Sequence, residues 1–150
     1  MTAKEFLERI RKCDTQIDKL TAIKQRMRDR ATVITTTISK DGVPGRSGND
    51  RVGCAAVEVA DLEHEIDRAV CRYARQMRKA IRLIEQLDNP DHIRLLVMRY
   101  IEYAPFDTIA REMGRSVQGI FYMHGRALEA FEQVMNRQKS EKLRKEKKDE

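Results

Sequence analysis

Apolar side chains recur at every third or fourth position through residues 55–87, and this stripe constrains the fold more than any other feature of the sequence. It contains Val59, Leu62, Ile66, Val70, Tyr73, Met77, Ile81, Ile84 and Leu87. Such spacing places the side chains along one side of an α-helix, which Asn89 and Pro90 then end. A helix of about 33 residues is about 50 Å long and needs a partner to cover its apolar stripe.

A second long helix is predicted at the beginning of the chain. Thr2 and Glu5 form a T-x-x-E capping box, which is typical of a helix N-terminus. Its apolar stripe consists of Phe6, Ile10, Cys13, Ile17, Leu20, Met27 and Ala31. We expect this helix to fray in the β-branched run 32–37, because such side chains lose rotamer freedom against the preceding helical turn.

Residues 38–53 between these helices are rich in glycine and contain a proline. They include Gly42, Pro44, Gly45, Gly48 and Gly53, a composition that predicts a mobile linker. Residues 1–88 are therefore expected to form a long, coiled-coil-like antiparallel helical hairpin. A homodimer through the long helices, or a docking arm for another protein, stays open as an alternative, because periodicity does not identify which helix covers the stripe.

The segment 91–131 has the outline of a helix-turn-helix, in a domain that we expect to span residues 89–136. Its first helix carries an apolar stripe of Ile93, Leu96, Val97, Tyr100 and Ile101. Pro105 suits the first position of a second helix. Gly114 is the expected C-terminal stop of that helix, and Ser116 is the expected N-cap of the next one. The fold class is therefore all-α, a helical hairpin followed by a C-terminal helix-turn-helix domain.

The last helix of this motif is the predicted recognition helix, whose N-terminal residues meet DNA bases in the major groove. The candidate DNA-binding residues are Arg115, Ser116, Gln118, Gly119, Tyr122 and Arg126. The Gln118 amide matches the major-groove edge of adenine. Gly119 indicates either close approach to DNA or a tight helix crossing. His124 is on the apolar side and is expected to be a hydrogen-bonded core histidine.

Residues 87–131 resemble the promoter-recognising C-terminal helix-turn-helix of bacterial sigma factors. Together, LEHEI, LIEQLDNPDHIRLLVMRYIE, DTIAREMGRS and MHGRALEAF resemble a wider family of small sigma-like proteins of bacteriophages and mobile elements. That family is related to phage late-operon transcriptional activators. The resemblance implies a transcriptional regulator whose partners are double-stranded promoter DNA and RNA polymerase.

The positive charge of the chain is concentrated at its ends. Residues 1–34 hold nine basic and five acidic side chains, a net charge of +4, and residues 135–150 hold seven and four, a net charge of +3. Residues 91–134 hold five basic and six acidic side chains, a net charge of −1. We therefore expect the ends to supply most nonspecific phosphate contacts. The charged tail 137–150 is expected to be a fraying helix end or a disordered segment.

Composition argues against several classes of protein. The chain has no Trp and only 5% aromatic residues, so we expect neither an enzyme nor a small-molecule substrate or cofactor site. The three cysteines and three histidines have no zinc-site spacing, so no metal is expected. Three cysteines without an apolar leader favour a reduced, cytoplasmic protein. No apolar segment is long enough to predict a membrane span.

Two other functions fit the same pattern. A DNA-packaging subunit resembling a small terminase also joins a helix-turn-helix to coiled-coil helices, and it would assemble into a ring. A protein-only helical adaptor would retain the motif without binding DNA, and the nearly neutral recognition helix favours it.

Overall fold

The computed structural model describes residues 1–41 and 46–148, and within that part of the chain it contains helices and no strands. The elements are α1 (Ala3–Asp41), α2 (Arg46–Ile84), α3 (Pro90–Leu96), a π-helical segment (Val97–Ile101), α4 (Phe106–Met113) and α5 (Val117–Glu146). The predicted all-α fold class is confirmed.

The chain divides into two compact units. The helix-turn-helix unit consists of Met1–Arg11 and Ala74–Glu150, and the hairpin unit consists of Lys12–Tyr73. This grouping differs from the predicted boundaries at residues 88 and 136. The first turns of α1 and the last turns of α2 contact the C-terminal helices, because their apolar side chains contribute to the same core.

The hairpin unit is held by ion pairs and by a half-buried apolar stripe. Arg28 forms a hydrogen-bonded ion pair with Glu63, and Lys24 Nζ lies 3.8 Å from the same carboxylate. The two helices therefore lie side by side at these residues. Ala69 is buried, whereas Leu20, Leu62 and their neighbours in the stripes are half-buried, because two helices alone cover little of each other's surface.

The core of the helix-turn-helix unit joins α1, the end of α2 and the C-terminal helices. The Phe6 and Phe131 rings stack with centroids 6.0 Å apart. The Ala3 backbone N–H donates to Glu132 Oε2 at 3.4 Å. The largest fully buried side chains of this core are Phe6, Leu7, Ile10, Leu83, Ile84, Leu95, Leu96, Ile109, Ile120 and Phe131. The N-terminal turns of α1 therefore hold the middle of α5 in place.

Several helix limits differ from the sequence predictions. Helix α1 continues through the β-branched run to Asp41, where fraying was expected. Helix α2 begins at Arg46 and not near residue 55, so most of the predicted linker 38–53 is helical. Residues 42–45 of that linker lie outside the described residues. Helix α5 continues to Glu146 and includes most of the tail 137–150.

The predicted stripe of α2 is wrong at two positions. Val70 is 42% exposed and Ile81 is 37% exposed, while Ala69, Ala80 and Leu83 are buried. A stripe that repeats every 3.5 residues drifts around a straight helix of 3.6 residues per turn by about 20° per heptad. Over the length of α2 this drift moves the buried side to neighbouring positions.

Candidate nucleic-acid interface

The turn between α4 and α5 is the geometric centre of the motif. Gly114 ends α4 in the left-handed conformation, with φ 63° and ψ 36°. The Arg115 N–H donates to the Ala110 carbonyl at 2.9 Å, which closes the helix end in the manner of a Schellman motif. The Ser116 Oγ accepts from the Gly119 N–H at 3.0 Å and caps α5. Gly114 therefore ends α4 and Ser116 is the N-cap of α5, as predicted.

Helix α4 begins one residue later than predicted. Pro105 is its N-cap, with φ −69° and an extended ψ of 154°, and Phe106 is the first helical residue. The Pro105 carbonyl accepts from the Ile109 N–H at 3.1 Å, the first hydrogen bond of the helix. The prediction of Pro105 at the first helical position is therefore wrong, although the helix follows directly.

The first helix of the motif changes its winding after Leu96. Residues Val97–Ile101 form a π-helical segment, and the Glu102 N–H donates to the Val97 carbonyl at 3.0 Å. Each turn then contains an extra residue. As a result Met98 is buried, whereas Val97 and Ile101, expected on the buried stripe, are only half-buried.

The inner side of α5 packs on the π-helical segment through His124. The hydrogen bond between Tyr100 Oη and His124 Nε2 is 2.9 Å long. The Phe106 and His124 rings contact each other edge to face, with their centroids 5.2 Å apart. Burial, with the cations Arg99 and Lys4, lowers the pKa of His124 below 6.5. Burial raises the pKa of Tyr100 to about 12. His124 is therefore hydrogen bonded, as predicted, but it is half-buried and not part of the fully buried core.

The outer side of α5 is open to solvent over its first three turns. Tyr122 is 71% exposed. Gln118 and Arg126 are also exposed, as are Ser116 and Arg115 in the preceding turn. Gly119 is half-buried. Five of the six candidate DNA-binding residues thus form an accessible surface that the rest of the unit leaves uncovered.

Gly119 has a local explanation that differs from both sequence-based alternatives. A Cβ built on Gly119 would lie 3.1 Å from Ser116 Oγ, which is tighter than an ordinary van der Waals contact. The cap of α5 therefore disfavours a side chain at this position. Neither DNA contact nor a helix crossing is needed to account for the glycine.

Arg115 is less available to a phosphate than its exposure indicates. Arg115 Nη2 donates to Asp91 Oδ2 at 2.9 Å, and both side chains are about half exposed. Asp91 lies in the first turn of α3, where its backbone N–H donates to Asn89 Oδ1 at 2.9 Å. The ion pair ties the turn before α5 to the start of the motif.

Two apolar residues on the outer side of α5 were not among the candidates. Phe121 is 52% exposed and Val117 is 37% exposed. The Phe121 ring contacts Phe106 with centroids 4.7 Å apart, and the Arg99 guanidinium lies 4.2 Å from the centre of the Phe106 ring. The i, i+4 spacing of Val117 and Phe121 could have indicated a shared apolar surface beside Gln118.

The described residues contain no helix that is long and apolar enough to cross a membrane. In the same part of the chain, no three His, Cys, Asp or Glu side chains are grouped as metal ligands. In comparisons with known proteins, no family model, curated protein or solved structure matches this chain.

Proposed function

We propose that the chain is a sequence-specific DNA-binding transcriptional regulator that inserts the first turns of α5 into a major groove. The proposal rests on one observation, that one side of α5 is buried and the opposite side is exposed. Its inner side is anchored by buried Ile120, Met123 and Ala127, while Gln118, Tyr122 and Arg126 on the outer side are exposed. The capped three-residue connection from α4 is the usual scaffold for such a helix.

The exposed surface has the chemistry to read an A·T base pair. The Gln118 amide can accept from N6 and donate to N7 of adenine, an arrangement that discriminates by about 1 to 3 kcal/mol. Phe121 is one helical turn away on the same side, and an apolar side chain of this kind contacts the C5 methyl group of thymine. Tyr122 and Arg126 follow at positions that suit phosphate contacts.

The weak charge of the motif favours assistance from a second protein. Residues 91–134 carry a net charge of −1, so this segment has little electrostatic attraction for phosphate. The resemblance to sigma-like proteins of phages and mobile elements supplies a partner, RNA polymerase. We therefore propose that α5 selects a promoter while polymerase contributes to the affinity.

Selection of bound fragments from random DNA, with and without polymerase, tests the proposal. One enriched sequence motif is expected, and Gln118→Ala should lose the preference at an adenine within it. Gln133→Ala, an exposed glutamine four turns further along α5, is the matched control and should keep the motif. Failure to enrich any sequence under either condition would refute sequence-specific regulation.

A protein-only adaptor is the second candidate, because two aromatic side chains are exposed next to each other on the outer side of α5. Phe121 and Tyr122 together form an uncovered aromatic pair on α5, and surfaces of this kind mark protein interfaces when they are part of a larger apolar patch. Polymerase binding without any salt-dependent affinity for DNA would favour the adaptor over the regulator.

Self-association through the hairpin unit is part of the proposal. Val33 is 65% exposed, Val57 is 61% exposed and Ile23 is 40% exposed, so apolar side chains of both hairpin helices are uncovered. A homodimer would bury them. Light scattering distinguishes the outcomes, because a dimer agrees with the regulator, whereas a ring of about eight subunits would favour a DNA-packaging subunit.

A further inference from the structure

A positively charged groove lies in the helix-turn-helix unit, away from the recognition residues. It has a volume of about 820 Å³. Four cations of α2 line it, Arg75, Arg78, Lys79 and Arg82, together with Gln76, Glu85 and Gln86 of the same helix and Gln138 of α5. The four cations are exposed. Their spacing of i, i+3, i+4 and i+7 aligns them along one side of α2 over two helical turns.

Four cations and the Glu85 carboxylate leave the groove a formal charge of +3, and none of the four cations is in an ion pair within the described part of the chain. The ion pairs recorded there involve other residues, and no carboxylate lies within 4.0 Å of the four cations. Arg78 Nε donates only to the Ala74 carbonyl of its own helix, at 3.3 Å, and Lys79 Nζ lies 5.4 Å from the centre of the Phe6 ring. Like charges at these spacings destabilise a helix. An anion in the groove would remove that repulsion.

We propose that this groove binds the phosphate backbone of duplex DNA. Three of the four cations are arginines, whose planar guanidinium groups bind phosphate oxygens through paired hydrogen bonds. The side-chain amides of Gln76 and Gln138 add uncharged donors to the groove. The helix-turn-helix segment lacks the positive charge that DNA binding requires, and the groove supplies it within the same unit.

The position of the groove on α5 separates it from the recognition residues. Gln138 follows Gln118 by 20 positions and Tyr122 by 16, which is about 24 to 30 Å along the helix axis. At about 100° per residue, Gln138 points about 160 to 200° away from both of them. The groove therefore contacts a different stretch of DNA, either a bent flanking region or a second duplex. The inference depends on DNA being the partner but not on sequence-specific readout.

The salt dependence of binding to random-sequence duplex DNA tests this inference, measured by fluorescence anisotropy between about 50 and 200 mM salt. The variant Arg75→Gln/Arg78→Gln/Lys79→Gln/Arg82→Gln removes the four charges. Four phosphate contacts contribute about 3.6 to the slope of log affinity against log salt concentration. The unmodified chain should therefore lose about 100-fold more affinity over this range than the variant does.

The matched control removes four exposed cations of the hairpin unit, Lys12→Gln/Lys19→Gln/Arg26→Gln/Arg30→Gln, which lowers the net charge equally. Its slope should stay close to that of the unmodified chain, whereas the sequence-based expectation that residues 1–34 supply nonspecific phosphate contacts predicts a loss. A third variant, Arg75→Lys/Arg78→Lys/Arg82→Lys, keeps the charge and should keep most of the slope. Circular dichroism of each variant checks that helix content is unchanged.

Equal loss of slope in the groove variant and the hairpin control would overturn the inference, since only net charge would then matter. An unchanged slope in the groove variant would overturn it as well. Binding of poly-glutamate in preference to DNA would identify an acidic protein as the partner instead. If the slope difference is found but fragment selection enriches no sequence, the groove inference stands and the proposed sequence-specific function fails.

Discussion

Arg115, in the turn before α5, is hydrogen bonded to Asp91 at the start of α3, with 2.9 Å between Nη2 and Oδ2. The pair is half exposed, so its contribution to stability is small, about 0 to 1 kcal/mol. Its larger effect is expected on the proposed DNA binding, because the carboxylate would compete with phosphate for the guanidinium. The candidate phosphate contact Arg115 is thus already paired with a carboxylate of the same unit.

Asp91→Asn should therefore strengthen DNA binding. The released Arg115 side chain adds about one phosphate contact, which raises the magnitude of the salt slope by about 0.9. Anisotropy titrations over a range of salt concentrations measure this slope. Asp107→Asn is the matched control, because Asp107 lies in the first turn of α4 and has no arginine partner within salt-bridge distance among the residues that the structure describes. Equal gains in the two variants would mean that only net charge had changed.

Replacing thymine by deoxyuridine in the selected DNA site should weaken binding. The substitution removes the C5 methyl group, and loss of one buried methyl contact is worth about 0.8 kcal/mol, or about fourfold in affinity. Phe121→Ala should abolish the difference between thymine and deoxyuridine. Tyr122→Phe, which removes only a hydroxyl group, should preserve it. A thymine preference that survives in Phe121→Ala would exclude the Phe121 contact.

Alanine substitutions of two glycines in α5 should differ in their effect on stability. Gly125→Ala should stabilise the fold by about 1 kcal/mol, because Ala favours helix and nothing lies within 4 Å of the new Cβ. Gly119→Ala should gain less or destabilise, since its Cβ would lie 3.1 Å from Ser116 Oγ. Urea unfolding of both variants measures the difference.

Repeating both glycine substitutions in the Ser116→Ala variant tests whether the N-cap hydroxyl is the cause of the different effect of Gly119→Ala on stability. Ser116→Ala alone should lower the free energy of unfolding by about 1 kcal/mol, because α5 loses its N-cap. In that background, Gly119→Ala should stabilise about as much as Gly125→Ala, since the Oγ is gone. A difference between the two glycines that persists without the Ser116 hydroxyl would contradict this explanation of Gly119.

The free energy of unfolding should decrease as pH falls below about 6.5, because of His124. The pKa of His124 is lower in the folded protein than in the unfolded chain, mainly through burial. The unfolded chain therefore binds the proton first, and acid favours unfolding until the folded form is protonated too. His124→Gln keeps a hydrogen-bonding group near Tyr100 but does not titrate. Urea unfolding between about pH 5 and 8 should show a smaller pH dependence in this variant.

The local signals in the sequence were sufficient to predict the turn of the motif. Gly114 and Ser116 act through their own backbone and through neighbours within a few positions, so their roles follow directly from residue type. The exposure of Gln118, Tyr122 and Arg126 follows from the same periodicity that buries Ile120 and Phe131.

Features that depend on distant partners were not predictable in this way. The pair of Arg115 and Asp91 joins residues 24 positions apart, and the π-helical segment places Met98 and Tyr100 in the buried core. The glycine-rich composition of residues 46–53 favoured a linker, yet the structure continues α2 through it. Composition indicates the average conformational preference of a segment. The conformation in the fold also depends on the residues around that segment.

The contact between the beginning of α1 and the middle of α5 has a consequence for biosynthesis. Ala3 and Glu132 are separated by 129 positions and are joined by a hydrogen bond, and Phe6 stacks on Phe131 beside them. During translation the first turns are made long before their packing surface exists. The unit that contains α5 therefore cannot complete its core until Phe131 has left the ribosome, and termination before that residue would leave Phe6 and Leu7 uncovered.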